Sequence, residues 1–201
     1  MPVLGITGGI ATGKTSFTGC LARLYPALRV FDTDACAREL TASDPAILSA
    51  IRDHFGPGVF DASGALQRPA LRAIVFADPV QRKALEAILH PAIRRNWLDL
   101  ARTIRGHPGP NPWLAIDIPL LFETSAETHL DKVLVVACSA STQRRRLVDT
   151  RHLAPALAES MIASQMPLPA KIARADFAVW NDGLPDALEV QARLLSLHLF
   201  S

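Results

Sequence analysis

The sequence lacks the features that mark several large protein classes. It has only three cysteines, Cys20, Cys36 and Cys138, which form neither a CxxC pair nor a cluster with histidine at zinc-binding spacing. This argues against a disulfide framework and against a structural zinc site, and it is typical of a reducing compartment. We interpret all three as small buried apolar residues.

Neither a dominant charge sign nor a long apolar run is present. The net charge is +2 and 20% of the residues are charged, which indicates no concentrated basic face for nucleic acid. No stretch reaches the length that spans a bilayer, and the amino-terminal run lacks the basic region and cleavage site of a signal peptide. We therefore expect a cytoplasmic protein that acts on small anionic ligands, without nucleic-acid or membrane partners, as a monomer or weak homo-oligomer.

What is present is an alternation of short apolar runs and helical patterns. Hydrophobic residues make up 49% of the 201 residues, enough for one α/β core. Apolar positions at i, i+3, i+4 and i+7 predict a helix over 14–24. The predicted strands are 3–7, 28–31, 113–118, 132–138 and 176–180. The run over 132–138 has no polar alternation, which predicts a parallel sheet covered by helices on both faces.

A long segment separates the second and third predicted strands. It reads as helices broken by Gly56-Pro57-Gly58, by Asp61-Ala62-Ser63-Gly64 and by His90-Pro91, followed by an irregular connector over 107–112. We interpret it as a helical insertion that binds a substrate, since long insertions in compact domains are usually functional. The alternative is a mere elaboration of the scaffold.

The most specific motif begins at the end of the first strand. It reads Gly8-Gly9-Ile10-Ala11-Thr12-Gly13-Lys14-Thr15 and matches G-x-x-x-x-G-K-[ST], with an apolar strand before it and an amphipathic helix after it. Backbone N–H groups of such a loop point at phosphate oxygens, and the helix directs its positive end there. Lys14 would reach the β- and γ-phosphates and Thr15 would coordinate Mg²⁺. A chance glycine loop is the alternative.

Acidic residues follow two other strands. Asp32 and Asp34 could place one carboxylate toward a metal and one toward an acceptor hydroxyl, which a kinase acting on an alcohol requires. Alternatively, one of them caps the helix that follows. Asp117 ends an apolar strand in the manner of a Walker B acid, although a strand-end carboxylate without catalytic function fits equally well.

Basic residues cluster late in the chain. Arg144, Arg145, Arg146 and Arg151 lie on and after a helix, where at most one or two can face a nucleotide. Such a cation would neutralise charge that develops during phosphoryl transfer, and the alternative for each is a solvated surface arginine. His90 has two interpretations, a structural cap or a catalytic group.

Further short segments follow one another along nearly the whole chain. Together with the motifs above they are Thr7 to Ile10, Gly13 to Thr15, Asp32-Thr33-Asp34, Ala37 to Leu40, His54-Phe55-Gly56, Gly64, Arg68, Leu71, Val75 to Asp78, His90-Pro91-Ala92-Ile93-Arg94, Pro119-Leu120-Leu121-Phe122-Glu123, Gln143, Arg146, Gln165 and Ala175-Asp176. In this order they resemble one family, the dephospho-coenzyme A kinases. The His-Pro-x-Ile-Arg and Pro-Leu-Leu-Phe-Glu segments are more distinctive than the glycine loop.

The resemblance implies an α/β P-loop NTPase fold with a five-stranded parallel sheet flanked by helices. Residues 1–34, 113–139 and 167–201 would form the nucleotide-binding core, 35–112 the helical acceptor-binding subdomain and 140–166 a lid. The implied reaction transfers phosphate from ATP, with Mg²⁺, to the ribose 3′-hydroxyl of dephospho-coenzyme A.

The resemblance also implies residue roles. Residues from Gly8 or Gly9 to Ser16 would cradle the phosphates, with Asp34 as the base and Asp32 with Thr15 near the metal. The acceptor would be bound by Arg38, His90 and Arg94. Arg146 or Arg151 would serve as the lid cation, and Asn181 would lie near adenine.

Three residues depart from the pattern of the family. Ala11 stands where glycine is usual, and because alanine favours a negative φ we expect the loop to shift slightly. Thr33 replaces an alanine between the two acids. Trp180 replaces a smaller residue next to the expected adenine contact, and we interpret it, like Trp97 and Trp113, as packing in a core or subdomain.

Three rival functions remain open. A P-loop kinase for another small alcohol or for a nucleoside monophosphate would share the loop and the lid. A GTP-hydrolysing switch would carry an Asn-Lys-x-Asp segment, which the stretch after the fifth strand does not supply. An inactive interaction module would not need Lys14, Thr15, Asp32 and Asp34 together.

Overall fold

The computed structural model describes residues 3–105 and 113–199. The connector predicted over 107–112 lies outside the described residues. The chain divides into two compact units. The first comprises residues up to Phe31 together with those from Ile104 onward, and the second is Asp32–Thr103.

The strands and helices alternate as the apolar runs indicate. The strands are β1 (Val3–Gly8), β2 (Arg29–Asp32), β3 (Leu114–Asp117), β4 (Lys132–Ala137) and β5 (Phe177–Trp180). The helices are α1 (Lys14–Leu24), α2 (Thr33–Ser43), α3 (Pro45–Phe55), α4 (Arg68–Ala77), α5 (Pro79–Arg105), α6 (Ala140–Arg145), α7 (Pro155–Ala163), α8 (Leu168–Arg174) and α9 (Pro185–Leu199). Short 3₁₀ turns cover Pro57–Val59 and Ala126–His129, and a π-helical turn covers Arg146–Thr150.

The first unit is built on one five-stranded sheet in the order β2-β3-β1-β4-β5. The pairs of β1 with β3, β1 with β4 and β4 with β5 are parallel, with Ile6 opposite Asp117 on one side and Leu134 on the other. All six residues of β1 are buried. A central strand without polar alternation must be buried on both faces, and here helices pack against the sheet and bury them. The predicted parallel α/β sheet is confirmed, with each strand within two residues of its expected bounds.

The core of the first unit lies between the sheet and two helices. Phe17 and Leu21 of α1 and Ala192 of α9 are fully buried against Leu4 and Leu134. The predicted helix over 14–24 has the same bounds as α1. Burying one such side chain contributes roughly 1.5–3 kcal/mol, and packing of this kind holds the amino terminus of α1 at the end of β1.

The second unit consists of helices α2 to α5 with well-defined ends. Asp44 caps α3 by accepting hydrogen bonds from the N–H groups of Ala46 and Ile47 at 2.9 and 3.0 Å. Gly56 ends α3 with a φ of 79°, a left-handed value that suits glycine. Asp61 organises the next turn by accepting from Ser63 N–H at 2.8 Å. The breaks predicted at 56–58 and 61–64 are confirmed.

The break predicted at His90-Pro91 is wrong. Helix α5 runs through Pro91 over 27 residues. Proline removes one backbone hydrogen bond at a cost of about 3 kcal/mol. The turns that follow bury Ala92, Ile93 and Trp97, and ending the helix would lose that packing. Burial in the second unit therefore outweighs the local preference of proline.

The three tryptophans do not share one environment. Trp97 is 3% exposed and Trp113 packs partly buried against the core of the first unit. Trp180 is 51% exposed, so its interpretation as a packing residue is wrong. It points away from the buried Val179 because side chains alternate along an edge strand. None of the described helices is long and apolar enough to cross a membrane.

Candidate active site

The glycine-rich loop connects β1 to α1 and its shape depends on two glycines. Gly13 has a φ of 93°, and a Cβ atom there would lie 1.9 Å from Nδ2 of Asn181. A Cβ atom on Gly8 would lie 2.4 Å from the carbonyl oxygen of Val136. The left-handed φ and the Asn181 side chain at Gly13, and the close approach of the Val136 backbone at Gly8, leave no room for a side chain at either position.

Ala11 adopts a left-handed conformation with a φ of 60°. The expectation of a negative φ at this alanine is therefore wrong. A left-handed alanine costs roughly 1 kcal/mol because its Cβ approaches the following carbonyl. The hydrogen bonds on neighbouring backbone groups outweigh that cost. The Thr12 hydroxyl donates to Gly9 O at 2.9 Å, and Arg146 Nη1 donates to the Ala11 carbonyl at 3.2 Å.

Asn181, which follows β5, and Arg146, which begins the π-helical turn, donate hydrogen bonds to the loop. Asn181 is buried and donates from Nδ2 to the Thr12 carbonyl at 2.8 Å. Arg146 donates to the same carbonyl at 3.2 Å and to the Asn181 carbonyl at 2.8 Å. Both predicted site residues therefore contact the phosphate loop itself. Arg144 instead pairs with Glu159, and Arg151 is exposed just after the π-helical turn.

Lys14, Thr15 and Ser16 form the first turn of α1. The Lys14 ammonium is ion-paired with the carboxylate of Asp117 at the end of β3. A helix begins with N–H groups that lack intrahelical acceptors and with a partial positive charge, both of which favour a bound anion. Lysine, hydroxyl and helix terminus thus meet at one end of the sheet.

A cleft of about 750 Å³ opens beside the loop in the first unit. It is lined by Ala11, Gly13, Ser16, Cys20, Arg23, Arg146, Thr150, Arg151, Asn181, Gly183, Pro185, Asp186, Leu188 and Glu189. The loop, the residues after β5 and both candidate lid arginines therefore share one cavity, and its size suits a nucleotide. Trp180 is not part of this lining, so its bulk does not crowd Asn181.

The donor set near the loop fits Mg²⁺ held together with phosphate. Within 3–105 and 113–199, no group of three or more His, Cys, Asp and Glu side chains could hold a metal by themselves. Magnesium beside a nucleotide usually takes only one or two protein oxygens, and phosphate and water supply the rest. The Thr15 hydroxyl and the Asp117 carboxylate are such oxygens.

The remaining predicted residues belong to the second unit. Asp32 caps α2 by accepting from Ala35 N–H at 2.9 Å, and Arg38 lies 4.0 Å from its other oxygen. The capping alternative is thus confirmed for Asp32. Asp34 is exposed in the first turn of α2.

His90 and Arg94 lie one turn apart on α5. Burial lowers the pKa of His90 below its ordinary value, Glu86 on the preceding turn opposes this, and Arg94 lowers it further. The imidazole is therefore neutral at pH 7 and can both donate and accept a hydrogen bond.

A buried ion pair behind the loop was missed by the sequence reasoning. The Lys171 side chain is fully buried, and its ammonium lies 2.9 Å from a carboxylate oxygen of Glu123. It also donates to the carbonyls of Pro119 and Gly8 at 3.3 and 3.4 Å. In the sequence, the pair is indicated only by Glu123, an acidic residue at the end of an apolar segment. No local pattern predicts that Lys171, 48 residues away, is buried against it.

Sheet order, phosphate loop and cleft define an α/β nucleotide-binding protein of the P-loop kinase class. The fold is shared with shikimate kinase from Acinetobacter baumannii, at a TM-score of 0.54 and 14% identity over 99% of this chain and 93% of that one. A crystal structure of a Thermus thermophilus protein matches at a TM-score of 0.81 with 30% identity, covering 100% of this chain and 98% of the other.

The family is more specific than the class. The model of the dephospho-CoA kinase family, CoaE, matches residues 2–186. A dephospho-CoA kinase from Anaeromyxobacter dehalogenans is 44% identical over 98% of this chain and 92% of that protein. One from Xanthomonas euvesicatoria is 42% identical over 97% and 94%. The chain belongs to the dephospho-CoA kinase family.

Proposed function

We propose that this protein transfers the terminal phosphoryl group of ATP to the ribose 3′-hydroxyl of dephospho-coenzyme A. The products are coenzyme A and ADP, and the reaction is the final step of coenzyme A biosynthesis. The observation that carries the proposal is the phosphate loop, which opens onto a nucleotide-sized cleft in a chain matched by the family model over 2–186.

The loop from Gly8 to Ser16 binds the polyphosphate of ATP through its backbone N–H groups, except those of Ile10 and Thr12, which donate to Gln165 and to the Gly9 carbonyl. Lys14 exchanges its ion pair with Asp117 for the β- and γ-phosphates, so the lysine is never left without an anion. Adenine occupies the cleft near Asn181. Thr15 and an acidic side chain, Asp32 or Asp117, would hold Mg²⁺, which when bound neutralises charge on the phosphate oxygens.

Catalysis requires a base for the acceptor hydroxyl. Asp34 is the candidate, because its exposed carboxylate lies two residues after β2, in the first turn of α2, and is not the group that caps α2. It would orient the 3′-hydroxyl and accept its proton as the phosphorus–oxygen bond forms.

Side chains that bind the acceptor, and a basic side chain near the transferring phosphoryl group, complete the proposal. Arg38, His90 and Arg94 would bind the anionic acceptor, with His90 acting as a neutral hydrogen-bonding group. Arg146 or Arg151 would stabilise the charge on the transferring group. Of the two, Arg151 is exposed at the end of the predicted lid helix, whereas Arg146 already holds three carbonyl groups.

The test is ADP release from ATP and Mg²⁺ across a panel of acceptors. The panel contains dephospho-coenzyme A, AMP, CMP, shikimate, gluconate and water alone, and product mass is checked for one added phosphate. We expect release only with dephospho-coenzyme A. Release with another acceptor would keep the kinase class and overturn the acceptor assignment. Release with water alone, or none, would favour a hydrolytic switch or an inactive module.

A further inference from the structure

Both backbone polar groups of one residue in the phosphate loop, Ile10, are bound by glutamine side chains. Gln143 donates from Nε2 to the Ile10 carbonyl at 2.7 Å. The N–H of Ile10 donates to Oε1 of Gln165 at 2.8 Å. A carbonyl requires a donor and an N–H requires an acceptor. Gln143 therefore uses the nitrogen of its amide, and Gln165 uses the oxygen.

The two glutamines come from opposite ends of the predicted lid, 140–166. Gln143 is buried on α6, near the start, and Gln165 follows α7, near the end. The residue after Gln165 is anchored as well, because Met166 N–H donates to Glu123 at 2.9 Å. Both ends of this segment are therefore anchored, the two glutamines on Ile10 and Met166 on Glu123.

The loop sequence accommodates this contact. A Cβ atom on Gly9 would lie 2.8 Å from Nε2 of Gln143, so the absence of a side chain lets the amide reach Ile10. Sequence separations of 133 and 155 residues make both bonds tertiary contacts. Both bonds use atoms of this chain alone and need no ligand atom.

We propose that Gln143 and Gln165 are positioning residues for ATP binding, which rests on the proposed function above. They fix the N–H and the carbonyl of Ile10, so that the remaining loop is shaped for phosphate and is linked to both ends of the predicted lid. A loop ordered in advance loses less conformational freedom on binding, which raises affinity without any direct contact to the ligand. The amides act through Ile10 and touch no reacting atom.

The variants Gln143→Met and Gln165→Met test this, since methionine keeps the side-chain length and removes the amide. ATP affinity is measured by calorimetry without acceptor, and kcat and both KM values by ADP release. Each lost hydrogen bond is expected to weaken ATP binding about five- to tenfold. The KM for dephospho-coenzyme A should stay unchanged. In the double variant the loss should be smaller than the product of the single losses, because both amides hold the same residue, Ile10.

Gln191→Met is the matched control. Gln191 binds the N–H and the carbonyl of Trp180 at 2.9 and 2.8 Å, so the same chemistry is removed outside the phosphate loop. Its ATP affinity should match the wild type. Unchanged ATP affinity in both loop variants would overturn the proposal, as would equal changes in both KM values. Calorimetry needs no acceptor, so a wrong acceptor assignment would leave this test intact.

Discussion

Removing the charge of Lys171 should destabilise the protein more than any surface substitution. In Lys171→Met the side-chain length is kept, but the partner carboxylate of Glu123, 21% exposed, loses its cation. Breaking a fully buried ion pair by removing one partner costs about 3–5 kcal/mol. Water reaches part of Glu123, so we expect the lower end, about 3 kcal/mol, and a fall in Tm of roughly 6–12 °C for a chain of this size.

The assay is urea unfolding followed by tryptophan fluorescence and circular dichroism. A second variant, Lys171→Met with Glu123→Gln, removes both charges while an amide oxygen can still accept the Met166 N–H. It should recover more than half of the lost stability, because no uncompensated charge stays buried.

Lys132→Met is the control for this prediction. Its ammonium lies 3.0 Å from Asp176, a separation like that of the buried pair, but its side chain is 48% exposed. Exposed pairs contribute about 0.2–1 kcal/mol, so the control should change stability little. If Lys171→Met were no less stable than Lys132→Met, the reasoning from burial would be refuted.

Four further predictions follow from the site. Asp34→Asn should lower kcat on the order of 10²-fold or more while ATP still binds, since the base is lost but the loop is intact; wild-type turnover would refute the role. Gly13→Ala should abolish ATP binding in calorimetry, because the new Cβ would lie 1.9 Å from Asn181 at a φ of 93°. Ala11→Gly should raise the free energy of unfolding by up to about 1 kcal/mol in urea titrations by relieving left-handed strain. Burial would raise the pKa of Glu123, but hydrogen bonds from its lysine partner and a backbone N–H outweigh it and hold the pKa below the ordinary 4.5. Stability from the ionised group is therefore present above pH 4.5 and lost as pH falls below it, and Glu123→Gln should flatten that part of the pH profile of unfolding.

Local chemistry was enough to predict the sheet, the phosphate loop and the first helix. A strand that is buried on both faces is a continuous apolar run without polar alternation. The β4 strand could therefore be recognised from its composition. The loop is equally local, since its glycines, lysine and hydroxyl lie within eight consecutive residues. Likewise Gly56 and Asp61 end or turn the chain through their own backbone and side-chain preferences.

Where local preference competed with packing, the sequence reading was wrong. Pro91 favours a break, but burial of Ala92 and Trp97 after it keeps α5 continuous. Ala11 favours a negative φ, but hydrogen bonds around it impose 60°. Trp180 is apolar, yet its place on an edge strand leaves it exposed.

The sequence by itself determined the class of protein and the residues that could bind phosphate, because the phosphate-binding residues all lie in one short segment, Gly8 to Thr15. Only the tertiary structure decided how the loop is held. The contacts of Ile10 with Gln143 and Gln165, and of Lys171 with Glu123, join residues from 48 to 155 positions apart. Such pairs have no periodicity or spacing to reveal them, since they exist only where folding brings separate helices and loops against the end of β1.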